Sequence, residues 1–278
     1  MNPHHPDGDS TLLGRHTDYP RRYAPELLCP LPRADGRRVL GIGETLPFHG
    51  VDIWNHYEVS WLDAGGKPQV AAAEIRVPAA SPCIIESKSM KLYFNSLNFE
   101  RFAGEAEFLA RVTADLSQAA GAPVTLRLFR PGATAPLAVT ELPGQCLDDL
   151  PLAVSEFRVD AGLLVADPAR TAEETLHSHL LRSLCPVTHQ PDWASVCISY
   201  RGPAIAHASL LAYVVSFRDH PDFHEQCVER MFSDIQARCR PEALTVYARY
   251  TRRGGLDINP WRSNQPAAVP AAPRLFRQ

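Results

Sequence analysis

The chain has 278 residues, with 28 lysines and arginines against 31 aspartates and glutamates, a formal net charge of −3. Hydrophobic residues make up 45% and charged residues 21%, which excludes a disordered chain and a nucleic-acid binder that works by bulk positive charge. The 25 prolines beside 16 glycines mark where regular structure must be interrupted.

Residues 1–50 are rich in turn formers and lack periodicity, so they read as an irregular arm. The N-terminal segment has no apolar core of a secretory signal, and no apolar run reaches the ~20 residues a membrane helix needs. The chain is therefore expected in the cytoplasm, without membrane attachment. Seven cysteines, an odd number in a reducing compartment, argue against a disulfide framework.

Alternation begins at 57–62, where Tyr57, Val59 and Trp61 interleave with Glu58 and Ser60. A turn-forming DAGGKP follows, and Ala73, Ile75 and Val77 then alternate with Glu74 and Arg76. Two such runs joined by a Gly-containing connection predict a β-hairpin. Phe108, Val112, Leu116 and Ala119 lie at helical spacing over 105–119, and a strand is predicted over 124–129. The second half repeats the order. It has alternation over 192–200, an apolar run over 209–217 that fits a helix or a strand, helical spacing over 222–238, and alternation over 244–251. Two similar units with helices on one face of antiparallel sheets predict an α+β fold. The units span 51–135 and 185–259, joined by a connecting segment over 136–184. Residues 260–278, with four prolines in 260–273, read as an extended tail docked by Trp261 and Phe276 or left free.

Four groups carry chemistry. Glu86-Ser87-Lys88-Ser89-Met90-Lys91 packs an acid, two hydroxyls and two lysines at a strand-to-helix junction, where hydroxyls and lysines can hold phosphate; a plain capped helix start explains it equally well. Cys185, His189 and Asp192 lie on a Pro-punctuated loop. A cysteine nucleophile needs a group that promotes the thiolate and an acid/base for its proton, and either His189 or Asp192 serves; the alternative is an ordinary loop. His224 and Glu225 start a helix, where the dipole alone favours the carboxylate. Arg253 and Gly254 follow the last strand, as a phosphate contact or a charged turn. His220, His224 and Cys227 also have the spacing of a metal site on one helical face, although Pro221 interrupts it. His177 and His179 read as surface residues. Neither common nucleotide-binding glycine fingerprint is present.

Together the strings ESKSMKLYFNSLN (86–98), CPVTHQPDW (185–193), FHEQCVERMF (223–232) and YTRRGGLDINPWRSN (250–264) resemble the NADPH-dependent 7-cyano-7-deazaguanine nitrile reductases in their long, two-module form. The resemblance implies tandem tunnelling-fold modules, a homodimer and a place in queuosine biosynthesis. It implies reduction of the nitrile of 7-cyano-7-deazaguanine (preQ0) to the aminomethyl group of preQ1. Two NADPH are consumed, with no metal and no direct contact with nucleic acid. By the same resemblance Cys185 is the nucleophile and Asp192 the proton-transfer residue. Ile85, Glu86, Ser87, His224 and Glu225 hold the substrate, and Ser87, Lys88, Arg253 and Gly254 hold the cofactor. Two alternatives remain at this point: a zinc-dependent cyclohydrolase of the same fold using His220, His224 and Cys227, and a non-catalytic deazapurine-binding module.

Overall fold

The computed structural model describes residues 19–132, 138–154, 157–266 and 274–278. After a 3-10 turn at Pro25–Leu27, the chain forms β1 (Pro30–Pro32), α1 (Arg33–Val39), β2 (His49–Leu62), β3 (Pro68–Pro78), β4 (Cys83–Ile85), α2 (Ser87–Ser96), α3 (Glu105–Ala120) and β5 (Thr125–Phe129). It continues with β6 (Val139–Thr140), β7 (Gln145–Cys146), β8 (Ala166–Ser178), β9 (Arg182–Leu184), β10 (Pro191–Ile205), α4 (His207–Ser216), α5 (His224–Cys239), β11 (Ala243–Tyr250), β12 (Leu256–Ser263) and β13 (Arg274–Leu275). The fold is α+β, as the sequence predicts.

One sheet unites both halves in the order β5-β3-β2-β12-β11-β10-β8-β7, with β9 pairing β10. Each half inserts two helices in sequence between hairpin strands. The β2–β3 turn is closed by Asp63, whose side chain accepts from Lys67 N at 3.0 Å. Gly66 takes φ +90° there, against the Arg101 guanidinium, a backbone conformation that favours glycine. The helix α3 ends at Gly121, also left-handed.

Register places all the long helices on one face. Trp54 pairs with Ile75 and Ile258, and Val246 with Ile198; directly opposed residues share a face. Trp54 and Ile75 pack with Met90, Tyr93, Phe94, Phe108 and Val112 of α2 and α3. Val246 and Ile198 pack with Leu210, Val214, Met231 and Phe232 of α4 and α5. The opposite face is polar yet buried: Asn55, Asp257, Asn259 and Arg249 lie there beneath the C-terminal residue. Gln278 accepts from Arg249 Nε and donates to Asn259 Oδ1.

Between α1, α5 and the sheet centre lies a buried charge cluster. Glu229 accepts from Arg37 Nε at 2.9 Å and Nη2 at 2.7 Å, and from Arg262 Nη2 at 2.9 Å. Asp52 pairs with Arg33 and with Arg262 Nη1 at 2.8 Å. Asp52, Glu229 and Arg262 are essentially inaccessible to solvent.

Several expected boundaries differ from the structure. The expected strand 57–62 is the C-terminal half of β2; its first half is buried on both faces, so it shows no alternation. The predicted tail from residue 260 begins inside β12, which is buried throughout and pairs with β2 from Leu256↔His56 to Ser263↔His49. Pro260 misleads there, since proline ordinarily breaks a central strand. Trp261 is buried as a strand residue, whereas Phe276 is 86% exposed and anchors nothing. The second unit's sheet starts before residue 185, because β8 pairs with β10 from Val196↔Ser178 to Ile205↔Ala166. The arm is partly ordered: α1 carries Arg33 and Arg37 into the charge cluster, and Leu28 and Leu31 are buried. Residues 1–18 and the expected boundary at 135 lie outside the described residues. The ambiguous run 209–217 is helical, as α4.

Removing one member of the cluster leaves buried charge without a partner, which costs about 3–5 kcal/mol. Glu229→Ala should therefore lower the urea-unfolding free energy by about that amount, while an exposed control, Arg38→Ala, should leave it nearly unchanged. Equal small losses in both variants would show that the cluster does not lock α1 and α5 to the sheet.

Candidate active site

At the helix-bearing side, β4, the β9–β10 loop and the start of α5 converge on one narrow cleft. Ile84, Ile85 and Ser87 line it from the first half. Cys185, Pro186, Asp192, Asp222, Phe223, His224, Glu225, Arg253 and Ile258 line it from the second.

The loop carrying Cys185 is a hairpin end. Pairing of Pro191 with Leu184 and Asp192 with Ser183 leaves six residues to turn. Cys185 N donates to Gln190 O and His189 N to Cys185 O. His189 closes the turn at φ +55° and stands outside the cleft lining, whereas Asp192 is part of it. Thr188 N points at Cys185 Sγ, 3.5 Å away, a donor suited to a sulfur that carries negative charge. The same hairpin is tied to the α5 entry: Leu184 N donates to His220 O and Asp222 N to Leu184 O.

Asp192 is buried and faces His224 and Arg253. His224 Nε2 lies 3.2 Å from Asp192 Oδ2, and Arg253 Nη2 lies 3.4 Å from Oδ1. Burial alone would raise the Asp192 carboxyl. The hydrogen bond and charge of His224, with Arg253 and Lys91, outweigh it and hold the carboxyl below its ordinary value. The His224 ring stacks on Tyr250 at 3.7 Å and 7°, which fixes the imidazole plane.

Glu225 lies in the first turn of α5, where the dipole favours a carboxylate. Burial and the charge of Asp52 nevertheless push its pKa up to about 8, against the pull of Arg33 and Arg262.

Glu86 does not line this cleft. Its carboxylate caps α2, accepting from Lys88 N at 2.6 Å and Ser89 N at 2.7 Å. Lys88 and Gly254 also stand outside the lining; Gly254 takes φ +59° with its α-carbon against the Lys91 alkyl chain. Lys91, the second lysine of the Glu86–Lys91 group, is a cation to which the sequence reading gave no separate role. Burial and Arg253 lower its pKa, against the attraction of Glu86, Asp192 and Cys185. The signal was available: Lys91 is one helical turn from Ser87, on the same face of α2. His220, His224 and Cys227 are not brought together. His220 faces Asp222, His224 faces Asp192, and Cys227 is fully buried in the α4–α5 core.

The family profile described as "Nitrile reductase, 7-cyano-7-deazaguanine-reductase N-term" matches residues 19–128, and that described as "QueF-like protein" matches residues 191–268. The NADPH-dependent 7-cyano-7-deazaguanine reductases of Bordetella parapertussis and Bordetella pertussis are each 54% identical over 266 residues, 96% of this chain and 97% of each relative. The chain belongs to the 7-cyano-7-deazaguanine reductase family. Among solved structures, the archaeosine synthase QueF-Like in the apo form matches at 20% identity with a TM-score of 0.30, covering 36% of this chain and 96% of that one. The cleft-lining residues fall inside the two family matches except Cys185 and Pro186, which lie just before the second.

A carboxyl whose pKa is raised on folding supports the fold at low pH and loses that support as pH rises. For Glu225 the contribution is full below about 4.5 and lost through about 8. Glu225→Gln should therefore gain on the wild type in urea midpoint as pH goes from about 4.5 to above 8. A pH-independent gap would show that the Glu225 carboxyl is not held protonated.

Proposed function

We propose that the chain reduces the nitrile of preQ0 to the aminomethyl group of preQ1 with NADPH, through a covalent thioimide on Cys185. The observation that carries this reading is the convergence of Cys185, the Asp192–His224 pair and buried Glu225 in one cleft.

A nitrile is a poor hydride acceptor, and thiolate addition converts it into an activated thioimide. As Cys185 Sγ bonds to the nitrile carbon, one C≡N π bond opens. The thiol proton passes by way of Asp192 to the nitrogen. The low carboxyl pKa of Asp192 makes it a ready donor once it has taken that proton, and His224 holds it in place. Glu225 accepts from the N–H edge of the deazaguanine. A buried carboxylate left unmatched penalises analogues without those donors. Ile85, Pro186, Phe223 and Ile258 close apolar walls that shield an imine from water.

NADPH, when bound, supplies one hydride in each of two successive rounds. Ser87 and Arg253, both on the cleft wall, would hold it together with Lys88 and Gly254. Arg253 is partly accessible, and Lys91 adds a second cation beside it, a donor set that suits phosphate. After the first hydride the carbon–sulfur bond breaks, Cys185 leaves as thiolate and an imine forms; the second hydride gives the amine. Overall the nitrile takes up two hydrides and two protons, four electrons in all.

The two matched family regions act as tandem tunnelling-fold modules, and the enzyme works as a homodimer in the cytoplasm on the free base, without touching nucleic acid. No helix among the described residues is long and apolar enough to cross a membrane, and the near-neutral charge suits a small-molecule substrate.

Mixed with preQ0 without NADPH, the wild type should gain the mass of one substrate on Cys185. Cys185→Ala should neither form the adduct nor oxidise NADPH. Asp192→Asn should slow adduct formation by roughly 100-fold or more, the usual scale of acid–base assistance. A Cys185→Ala variant that still reduces preQ0 contradicts the mechanism.

A further inference from the structure

The sheet edge formed by β7 carries a second group of side chains with ligand chemistry. Cys146 on β7 pairs in parallel with His177 on β8, so the two side chains share a face. His179, two residues on, returns to that face. One ligand atom from each of Cys146, His177 and His179 lies within 4.8 Å of the others.

The rings are already oriented. His177 Nδ1 lies 3.0 Å from Pro143 O. A carbonyl can only accept, so Nδ1 carries the hydrogen and Nε2 keeps its lone pair. His179 Nδ1 lies 2.8 Å from Ser195 Oγ, and its backbone N–H is held by the Asp148 carboxylate at 3.0 Å. Imidazoles whose second nitrogen is tied to an oxygen are the usual outer support of a metal ligand. The nearest fixed cation, Arg277, donates to His179 O at 3.1 Å, and the Asp148 carboxylate stands on the same residue's amide to offset it.

We propose that Cys146, His177 and His179 bind one soft divalent transition-metal ion of the zinc class, with water as a fourth ligand. One thiolate and two imidazoles are the donor set such ions select. Tetrahedral ligands at zinc distances stand ~3.5 Å apart, so the group must contract by about an ångström. Cys146 is exposed and sits on a strand of two residues, so it can supply that movement. The ion clips the short β7 to β8 and thereby fastens the connecting segment to the sheet edge. None of the three residues lines the Cys185 cleft, and the metal takes no part in the reduction.

The test uses full-length protein stripped with a chelator, in a Cys185→Ser background that removes the cleft thiol. Zinc is titrated against a chromophoric chelator, and cobalt(II) is added in a parallel sample. One equivalent of zinc per chain is expected, with a thiolate-to-cobalt charge-transfer band. Loss of outer support alone costs such sites 10–100-fold, so adding Cys146→Ala or His179→Ala should weaken zinc binding by at least ~100-fold and abolish the band. Circular dichroism keeps folding separate: Cys146 is exposed, so its variant should match the parent spectrum. Absence of stoichiometric zinc in the parent, or equal binding after Cys146→Ala, overturns the proposal. The readout is metal binding, so its failure is distinguishable from failure of the reductase reading.

Discussion

The arrangement depends on two carboxylates and three guanidiniums sealed beneath α5. Asp52 comes from β2, Glu229 from α5, Arg262 from β12, and Arg33 and Arg37 from the N-terminal arm. Each charge would be prohibitively costly to bury alone. Together they force four segments, distant in sequence, to meet in one geometry. The start of α5 is thereby fixed over the sheet, and with it His224 and Glu225. The cluster holds three cations and two anions, and the third nearby carboxyl is Glu225, one turn before Glu229. Ionising Glu225 would neutralise the group, but burial and the charge of Asp52 resist that. The same charges that lock the fold therefore set the state of Glu225, the residue proposed to meet the substrate.

The cleft separates two acids by environment. Asp192 is held anionic by His224 and Arg253, while Glu225 is pushed toward its neutral form. One is suited to moving a proton and the other to gaining hydrogen bonds when a donor-rich ring displaces water. Cys185 follows the hairpin strand β9, which is tied to the α5 entry through Leu184. In the proposed reaction that tie holds Cys185 in a fixed relation to His224 and Glu225, the kind of fixed geometry that positioning requires.

Much of this was legible in the sequence because the informative residues sit in local patterns. The 3.6 period of Phe108, Val112 and Leu116 and the alternation of Val196, Ile198 and Tyr200 reflect helices and strands with one face toward a core. The cleft residues Cys185, Asp192, His224 and Glu225 lie within long strings that resemble one family. What escaped was burial on both faces. In the first half of β2 and all of β12 burial does not alternate, because the polar residues Asp52, Asn55, Asp257, Asn259 and Arg262 are buried along with the apolar ones. Their partners lie up to 211 positions away, and no local pattern encodes such pairings. Glu86 shows the opposite case: the capping role that its place before α2 suggests is local, and the structure has it capping α2.

The central claim is that this cleft delivers four electrons to one nitrile. The most direct measurement is the ratio of NADPH oxidised to preQ0 consumed, with the product identified by mass. Two NADPH per preQ0, with preQ1 as the only product, is the expected result. NADPH that stays unoxidised in the presence of preQ0, or a ratio of one with an aldehyde or imine-derived product, would contradict it.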